Sequence, residues 1–373
     1  MLQSIKYRPY PSQKQQDLLA RHFGCVRLVY NWALELKSAL YKDSKTKISR
    51  FELQVKLKEM KADLPFLKEI NSQSLQVAIL YLERAFTNFF QGRAAYPRFK
   101  RKFARQSFHC PQHIRVAAGK VFIPKFTEGI PVRIHRSFAG EIRNATISKT
   151  SSGKYYVSIL VETGREAKPR CPVKRETAVG IDVGLKSFAV LSDGTEIENP
   201  KYLKKRMERI KVLQRRKDRK QKGSANRKKA CRKLARQQEK VANQRMDFQH
   251  KTSTAITKQW ETVCVEELAI GNMMKNHCLA GSISDAGWGM FKAMLQYKME
   301  REGKWLLKAG RFDPSSKRHY ECGYVYKELS LGEREWICPG CGKLVLRDVN
   351  GAVNIKVYAL ERYFALMRLT GVE

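Results

Sequence analysis

The first hundred residues predict a short strand followed by helices. Residues 1–10 alternate apolar and polar side chains before a proline-containing break, a pattern typical of a β-strand. From Ser12 to about residue 42, apolar residues recur at the spacing of a helix. Two further helical stretches are predicted near 50–60 and 72–93. We therefore predict a block of three helices that ends at residues 96–100.

Residues 105–165 alternate short apolar runs with Gly, Pro and Asn, which is typical of short strands joined by tight turns. The runs lie at 121–123, 132–134, 145–147 and 155–161. They predict a small barrel or a curled sheet. Residues 1–10 are the expected source of its first strand, and in that case the helical block is an insertion into this sheet.

The second half of the chain predicts a further region of mixed strands and helices, after a polar and basic linker at 165–175. Strands are predicted at 178–184, 188–191 and 262–266. Helices are predicted at 201–245 (a hairpin interrupted near Gly223), at 286–302 and from Asp348 onward. Together the two halves predict an α+β multidomain protein.

The charge balance points to a polyanionic partner. The chain has 73 Lys and Arg residues against 35 Asp and Glu residues, a formal net charge of +38. Nucleic acid is favoured because its phosphates release condensed counterions when Lys and Arg replace them. Residues 201–245 hold 20 Lys or Arg residues and three acids. We therefore expect this hairpin to contact nucleic acid rather than to form only a solvated face.

Other sequence features disfavour a membrane partner and secretion. The chain contains no run of 18 apolar residues and no lipidation signal. Because the N-terminal sequence lacks the apolar core of a signal peptide, we expect a cytoplasmic protein that is associated with the nucleoid through DNA. Free thiols are expected for the scattered cysteines, which are Cys25, Cys110, Cys171, Cys231, Cys264 and Cys278.

Three acids stand in unusual places. Asp182 lies inside the apolar strand 178–184, Glu266 ends the strand 262–266, and Asp348 lies in the first turn of the last helix. Taken singly, each has an ordinary explanation as a turn residue, a strand-end acid or a helix cap. Taken together, a strand, a strand end and a helix start form a recurring two-metal site for phosphodiester chemistry. Oxygen ligands of this kind suit Mg²⁺.

A second candidate metal site lies in the Cys-rich segment 311–345. Cys338 and Cys341 have the spacing of a zinc knuckle, and His319 and Cys322 form a second pair fifteen residues upstream. Together they predict a structural Cys3His zinc site with all four positions filled by protein. Two alternatives stay open. One is a degenerate finger in which His319 is exposed and no metal is tightly bound, and the other is a pair of free thiols in a turn.

The motifs that contain the three acids lie at 180–194, 265–268 and 347–352. In this order they resemble the RuvC motifs of the TnpB/OrfB family of transposon-encoded, RNA-guided nucleases, which is related to type V CRISPR effectors. Four further segments also resemble that family, at 7–11, 23–33, 96–100 and 283–289. The resemblance therefore covers nearly the whole chain.

The resemblance implies a RuvC-type, Mg²⁺-dependent endonuclease that cuts double-stranded target DNA beside a short flanking motif. Asp182, Glu266 and Asp348 would hold Mg²⁺, with two ions expected. A transposon-derived guide RNA would pair with the target strand, which leaves the basic protein surface to bind backbone. The implied domains are a β-barrel wedge (1–10 and 101–170), an inserted helical recognition lobe (11–100), an RNase H-like nuclease domain (175–310 and 346–373) and a zinc-finger insert that binds target nucleic acid (311–345).

A few positions depart from the family pattern, and none of them removes a predicted Mg²⁺ ligand. They are Glu267, Ala269, Gly351 and His319, the last of which stands where the family has Cys. Two alternative functions stay open, namely a non-cleaving RNA-guided DNA-binding repressor and an RNA-independent transposon DNA-binding protein. Three aromatic residues could stack on bases, although each is expected to lie in the core: Trp32, Tyr96 and Phe99.

Overall fold

The chain folds into two units that each combine helices with a β-sheet. A computed structural model describes residues 1–103, 105–330 and 332–370. The first unit comprises Met1–Glu166 and Gly223–Arg236, and the second comprises Ala167–Lys222 and Gln237–Glu373. The predicted α+β multidomain class is confirmed. The finer domain boundaries that the sequence predicts stay predictions.

The first unit contains seven strands and three α-helices within its described residues. The strands are β1 (Leu2–Pro9), β2 (Gln106–Cys110), β3 (Arg115–Ala117), β4 (Lys120–Ile123), β5 (Phe126–Arg133), β6 (Glu141–Lys149) and β7 (Tyr155–Glu162). The helices are α1 (Gln13–Ser44), α2 (Arg50–Asp63) and α3 (Ser72–Phe90), with a 3-10 turn at Pro65–Glu69. Ser12 and Gln15 form a capping box that fixes the start of α1.

The seven strands form one sheet in the order β2-β6-β7-β1-β5-β4-β3. Strand β1 pairs antiparallel with both β7 and β5, which confirms that residues 1–10 supply a strand to the sheet of residues 105–165. Along β7, every second residue is buried. The buried face of the sheet and the buried faces of the helices contribute to one apolar cluster. The helical block and the sheet therefore share a core.

The second unit is built around a five-stranded sheet. Its strands are β8 (Ala178–Val183), β9 (Ser187–Leu191), β10 (Glu196–Glu198), β11 (Thr262–Val265) and β12 (Trp305–Lys308), and a separate hairpin is formed by β13 (Glu335–Ile337) and β14 (Leu344–Leu346). The helices that follow β10 are α4 (Tyr202–Asp218), α5 (Ala225–Gln259), α6 (Ile270–Met273), α7 (His277–Ala286), α8 (Trp288–Arg301) and α9 (Arg347–Thr370). The first residues of α5 group with the first unit. The predicted basic helical hairpin is confirmed as α4 and α5.

The five strands lie in the order β10-β9-β8-β11-β12. Strand β11 runs parallel to both β8 and β12, whereas β9 is antiparallel to β8. The first four residues of β8 and all four residues of β11 are buried. Such continuous apolar runs are typical of strands that are covered on both faces. No helix within the described residues is long and apolar enough to cross a membrane.

Helix α9 packs directly on β8 because Gly180 has no side chain. A Cβ at position 180 would overlap the backbone oxygen of Ala352 and would lie 2.9 Å from the backbone nitrogen of Lys356. The backbone of the helix therefore rests against the backbone of the strand. This contact decides where the first turn of α9, which carries Asp348, lies relative to Asp182.

Two of the three aromatic residues expected in the core are exposed. Tyr96 and Phe99 lie in the irregular segment after α3, and Phe99 is 56% exposed. Their predicted burial was wrong, because this segment turns a proline, Pro97, inward instead. Trp32 is half-buried and packs against the core of the first unit, in agreement with its prediction.

We predict that Gly180→Ala destabilises the second unit, because the new methyl group would meet backbone atoms that cannot rotate away. Overpacking of this kind costs about 1–3 kcal/mol of the free energy of unfolding. Chemical denaturation of the wild type and the variant measures the loss. Gly281→Ala in α7 is the matched control, since a Cβ there meets nothing within 4 Å. Because Ala is the better helix former, this change should raise the free energy of unfolding by about 0.5–1 kcal/mol. Equal stability of the two variants would contradict the proposed role of Gly180.

Candidate active site and metal centre

Strand register places Asp182 and Glu266 side by side. Val265 is the register partner of Ile181 in the parallel pair of β11 and β8. Glu266 is the next residue after Val265, and Asp182 is the next residue after Ile181. Because neighbouring parallel strands keep their register, Glu266, just after β11, lies level with Asp182 near the end of β8. The predicted position of Glu266 at the end of its strand is confirmed.

Asp348 reaches the same region from the helix that covers β8. It lies in the first turn of α9, as predicted, one turn before Ala352. Gly351 of α9 lies against the Asp182 carboxylate, because a Cβ at position 351 would be 2.8 Å from Asp182 Oδ2. The departure from the family pattern at position 351 therefore gives the Asp182 carboxylate room beneath α9.

Asp182 and Asp348 line one cleft of about 160 Å³ in the second unit. Cationic side chains line it as well, namely those of Lys186, Arg334 and Arg347. Burial raises the pKa of Asp182, and the negative charges of Glu266 and Asp348 raise it further, to about 7, against the opposing effect of the two arginines. Asp182 therefore lies within electrostatic range of both of the other acids.

The other two carboxylates have partners from the segment 311–345. Asp348 Oδ1 accepts a hydrogen bond from Arg334 Nη1 at 3.0 Å. Glu266 Oε1 accepts one from the Ser315 hydroxyl at 3.4 Å. Burial raises the pKa of Glu266, while the Ser315 hydroxyl lowers it. Neither Arg334 nor Ser315 was identified from the sequence, because nothing in the residue pattern shows that this insert folds back onto the carboxylates.

The three acids are brought to one region, but they do not form a compact ligand group. Glu266 is not among the residues that line the cleft of Asp182 and Asp348. Within the described part of the chain, the compact group of possible metal ligands is the His and Cys cluster instead. The predicted convergence of Asp182, Glu266 and Asp348 around an ion therefore stays a prediction.

The four predicted zinc ligands lie together. The ligand atoms of His319, Cys322, Cys338 and Cys341 all lie within 4.8 Å of one another. His319 Nδ1 is 3.1 Å from the Cys322 sulfur and 3.3 Å from the Cys341 sulfur. His319 is buried, so the alternative in which it is exposed is wrong. Four soft or nitrogen donors at this spacing are consistent with a closed, structural zinc site.

The ligand side chains act on one another's ionisation. The backbone N–H of Tyr324, together with the neighbouring ligand side chains, lowers the pKa of Cys322 to about 6, whereas the sulfurs of Cys322 and Cys338 raise the pKa of Cys341. Thiolates, rather than thiols, bind metal. Cys338 is fully buried and packs in a small apolar cluster with Leu329, Trp336 and Val345. One side of the zinc site is therefore packed against a small apolar core.

Two buried asparagines of α9 hold the loop that carries His319. The Asn350 amide donates to the Arg318 carbonyl at 2.8 Å, and its oxygen accepts the Tyr320 N–H at 3.0 Å. The Asn354 amide donates to the Ser315 carbonyl at 2.8 Å. Because Asn350 and Asn354 are four residues apart, they lie on one face of the helix. Two amides at this spacing in an apolar helix were a sequence signal that could have identified this contact.

The basic hairpin is an open, cationic surface. Within Tyr202–Asp218, no residue of α4 is fully buried. The predicted apolar stripe is present as half-buried or buried side chains, which are Met207, Ile210, Leu213, Leu234 and Val241. The remaining faces carry the Lys and Arg residues. This arrangement suits contact with phosphates, which long cationic side chains track from the surface.

Family models match three parts of the chain. The model described as "Probable transposase" (OrfB_IS605) matches residues 158–277, the Cas12f1-like TNB domain matches residues 288–355, and the helix-turn-helix domain of OrfB_IS605 matches residues 1–46. A Streptomyces pristinaespiralis protein named "Putative RNA-guided DNA endonuclease" is 40% identical over 361 aligned positions, and the match covers 94% of this chain and 88% of that protein. The chain belongs to the TnpB/OrfB family. InsQ of Escherichia coli K12, "Putative RNA-guided DNA endonuclease InsQ", is 33% identical over 374 aligned positions, and the match covers 95% of this chain and 91% of InsQ.

A solved structure shares the fold of this TnpB/OrfB chain. The Cas12f1 chain in a Cas12f1-sgRNA-target DNA complex matches it with a TM-score of 0.57 and 13% identity, over 95% of this chain and 98% of that one.

In this TnpB/OrfB chain, residues 1–46 form β1 and a single long helix, α1, rather than two short helices. Glu267, which departs from the family pattern, is exposed and pairs with Lys308 at 3.6 Å.

We predict that the purified protein carries about one zinc ion per chain and that Cys338→Ser removes it, because a closed site needs all four ligands. Metal analysis by mass spectrometry measures the content. Cys278→Ser is the control, since Cys278 is an exposed free cysteine in α7. A zinc-free wild type would contradict the assignment, as would an equal loss in the two variants.

Proposed function

We propose that this chain is an RNA-guided, Mg²⁺-dependent DNA endonuclease of transposon origin, with Asp182, Glu266 and Asp348 as its metal ligands. The observation that carries the proposal is the electrostatic grouping of these acids. Asp182 is half-buried, the charges of Glu266 and Asp348 both act on its carboxylate, and it lines a cleft with Asp348. The relatives named as RNA-guided DNA endonucleases match nearly the whole chain, which also supports a nuclease function.

The residues present fit a divalent cation. Burying a carboxylate beside two others is costly unless a positive charge offsets the repulsion. Asp182 has no hydrogen-bonded cationic partner among the described contacts, since Arg334 bonds to Asp348 and Arg347 donates to the Ser330 and Glu333 carbonyls. A divalent cation held there supplies positive charge where a phosphodiester develops negative charge during cleavage. Oxygen ligands from carboxylates suit Mg²⁺.

The neighbouring side chains would position the substrate and the ligands. Lys186 is exposed at the cleft and can meet a phosphate of the DNA backbone. Arg334 places a guanidinium beside Asp348, where it can contact a phosphate bidentately. Ser315 orients Glu266 through its hydroxyl. These groups would bind and orient the DNA and the ligands, while the three acids would hold the ion.

Domain roles follow from the same proposal. The sheet of the first unit would be the wedge barrel, and α1 to α3 would form the recognition lobe. The five-stranded sheet with α9 would be the RuvC nuclease core, and the segment 311–345 would be a zinc-stabilised insert that binds target DNA. The charge of +38 is consistent with a guide RNA and a DNA duplex bound at once. Base pairing would then read the target sequence.

We predict that Glu266→Gln lowers DNA cutting by more than about 100-fold, because losing one charged ligand forfeits several kcal/mol of transition-state stabilisation. The assay uses the protein co-expressed with its flanking transposon sequence, so that its RNA co-purifies, and a plasmid library that contains the matching target. Glu267→Gln is the matched control, since Glu267 is the next residue, is exposed and pairs with Lys308.

The outcomes of this assay separate the open alternatives. The proposal requires that Glu266→Gln keeps its RNA and binds target without cutting it, while Glu267→Gln cuts like wild type. A wild type that binds the target through RNA but never cuts would indicate the repressor. Targeted binding that survives ribonuclease treatment and needs no RNA would indicate the plain DNA-binding protein. Equal cutting by Glu266→Gln and wild type would show that Glu266 is not a ligand of the catalytic metal.

A further inference from the structure

Three aromatic side chains meet at the C-terminal end of α3 and remain open to solvent. The ring centroids of Phe89 and Phe90 lie 5.3 Å apart, and the Tyr96 ring lies 5.3 Å from Phe89, edge-on. Phe90 is 77% exposed, Tyr96 is 47% exposed, and Phe89 is half-buried. We call Phe89, Phe90 and Tyr96 the aromatic end of α3. Single exposed apolar residues are ordinary, whereas three contiguous aromatic rings are not.

The aromatic end is held in place by contacts behind it. Asn31 of α1 clamps the backbone of Lys100, donating to its carbonyl at 3.0 Å and accepting from its N–H at 2.8 Å. The hydroxyl groups of Tyr96 and Ser38 are hydrogen-bonded at 2.9 Å. Behind the surface, the buried Phe86 ring packs edge-on against Tyr96 at 5.5 Å. The exposed rings are therefore pre-organised, which reduces the entropy that a ligand would have to remove on binding.

The stretch of chain that carries the aromatic end is cationic, and Glu83, the acid just before it, is paired with Lys37 at 3.1 Å. Residues 84–102 contain six cations and no acid, namely Arg84, Arg93, Arg98, Lys100, Arg101 and Lys102. Arg93 and Arg98 are exposed and flank Tyr96 in the sequence. Flat aromatic faces combined with Arg and Lys form the surface on which nucleic-acid bases stack while their phosphates are bound. A partner with both a negative backbone and planar, apolar faces matches this combination.

We propose that the aromatic end of α3 stacks unpaired bases of the guide RNA. The RNA identity rests on the proposed function, while the stacking chemistry rests on the rings and charges described above. Bases of duplex DNA are already stacked and paired. Moving one of them onto Phe90 would lose about as much stacking and pairing free energy as the new contact would supply. Loops and ends of RNA offer unpaired bases without that cost, and aromatic and Arg side chains are their usual contacts.

The test uses the protein purified with its co-expressed RNA and compares Phe90→Leu with Phe51→Leu. Leucine keeps an apolar side chain but removes the flat ring. Phe51 is the matched control, because it is 66% exposed in the same unit, with the Arg50 guanidinium 4.6 Å from its ring centroid. RNA retained per chain is measured in washes of rising salt. Phe90→Leu should lower retention about tenfold at a given salt concentration, with an unchanged unfolding temperature.

A second arm identifies the occupant directly. Phe90→p-benzoylphenylalanine, a photo-crosslinking residue, should crosslink to RNA before any DNA is added, and the same change at Phe51 should not. Wild-type RNA retention in Phe90→Leu would overturn the inference and leave the proposed function intact. Crosslinking to DNA alone, after target is added, would assign the surface to a DNA strand and overturn the RNA occupant. Wild-type protein that purifies without RNA would contradict both the proposed RNA-guided function and the RNA contact at the aromatic end.

Discussion

The backbone contact between α9 and β8 is the constraint on which the candidate site depends. Gly180 lets the helix lie on the strand where a larger residue would overlap the Ala352 carbonyl. Since Asp348 is one turn before Ala352 and Asp182 is two residues after Gly180, one close contact fixes two of the three acids. The parallel register of β8 and β11 fixes the third. Positioning by sheet and helix backbones is more precise than positioning by loops.

The described residues of the segment 311–345 contact this core through several polar side chains. Asn350 and Asn354 anchor the loop that carries His319, Ser315 contacts Glu266, and Arg334 contacts Asp348. The same stretch of chain therefore supplies the predicted zinc ligands and partners for two of the carboxylates. A metal that stiffens this segment would also stabilise the positions of Ser315 and Arg334, which links the two candidate metal sites through a short polar network.

Much of this arrangement could be predicted from residue patterns. Apolar runs and turn residues identified β8, β9 and β11, and the spacing of His319, Cys322, Cys338 and Cys341 identified a cluster that the structure brings together. Patterns of this kind are local, so they could not show that Arg334 and Ser315 return to the carboxylates from a distant segment. They also assigned Tyr96 and Phe99 to the core, because an aromatic residue is equally apolar whether it faces a core or a ligand.

The proposed function requires Asp182, Glu266 and Asp348 to share one divalent ion site beneath the first turn of α9. A crystal structure of the protein soaked with Mn²⁺, a substitute for Mg²⁺ with an anomalous X-ray signal, tests it most directly. We expect anomalous density in contact with carboxylate oxygens of all three residues, and the loss of this density in Asp348→Asn. Density confined to surface acids, or the three carboxylates lying on separate surfaces, would contradict it.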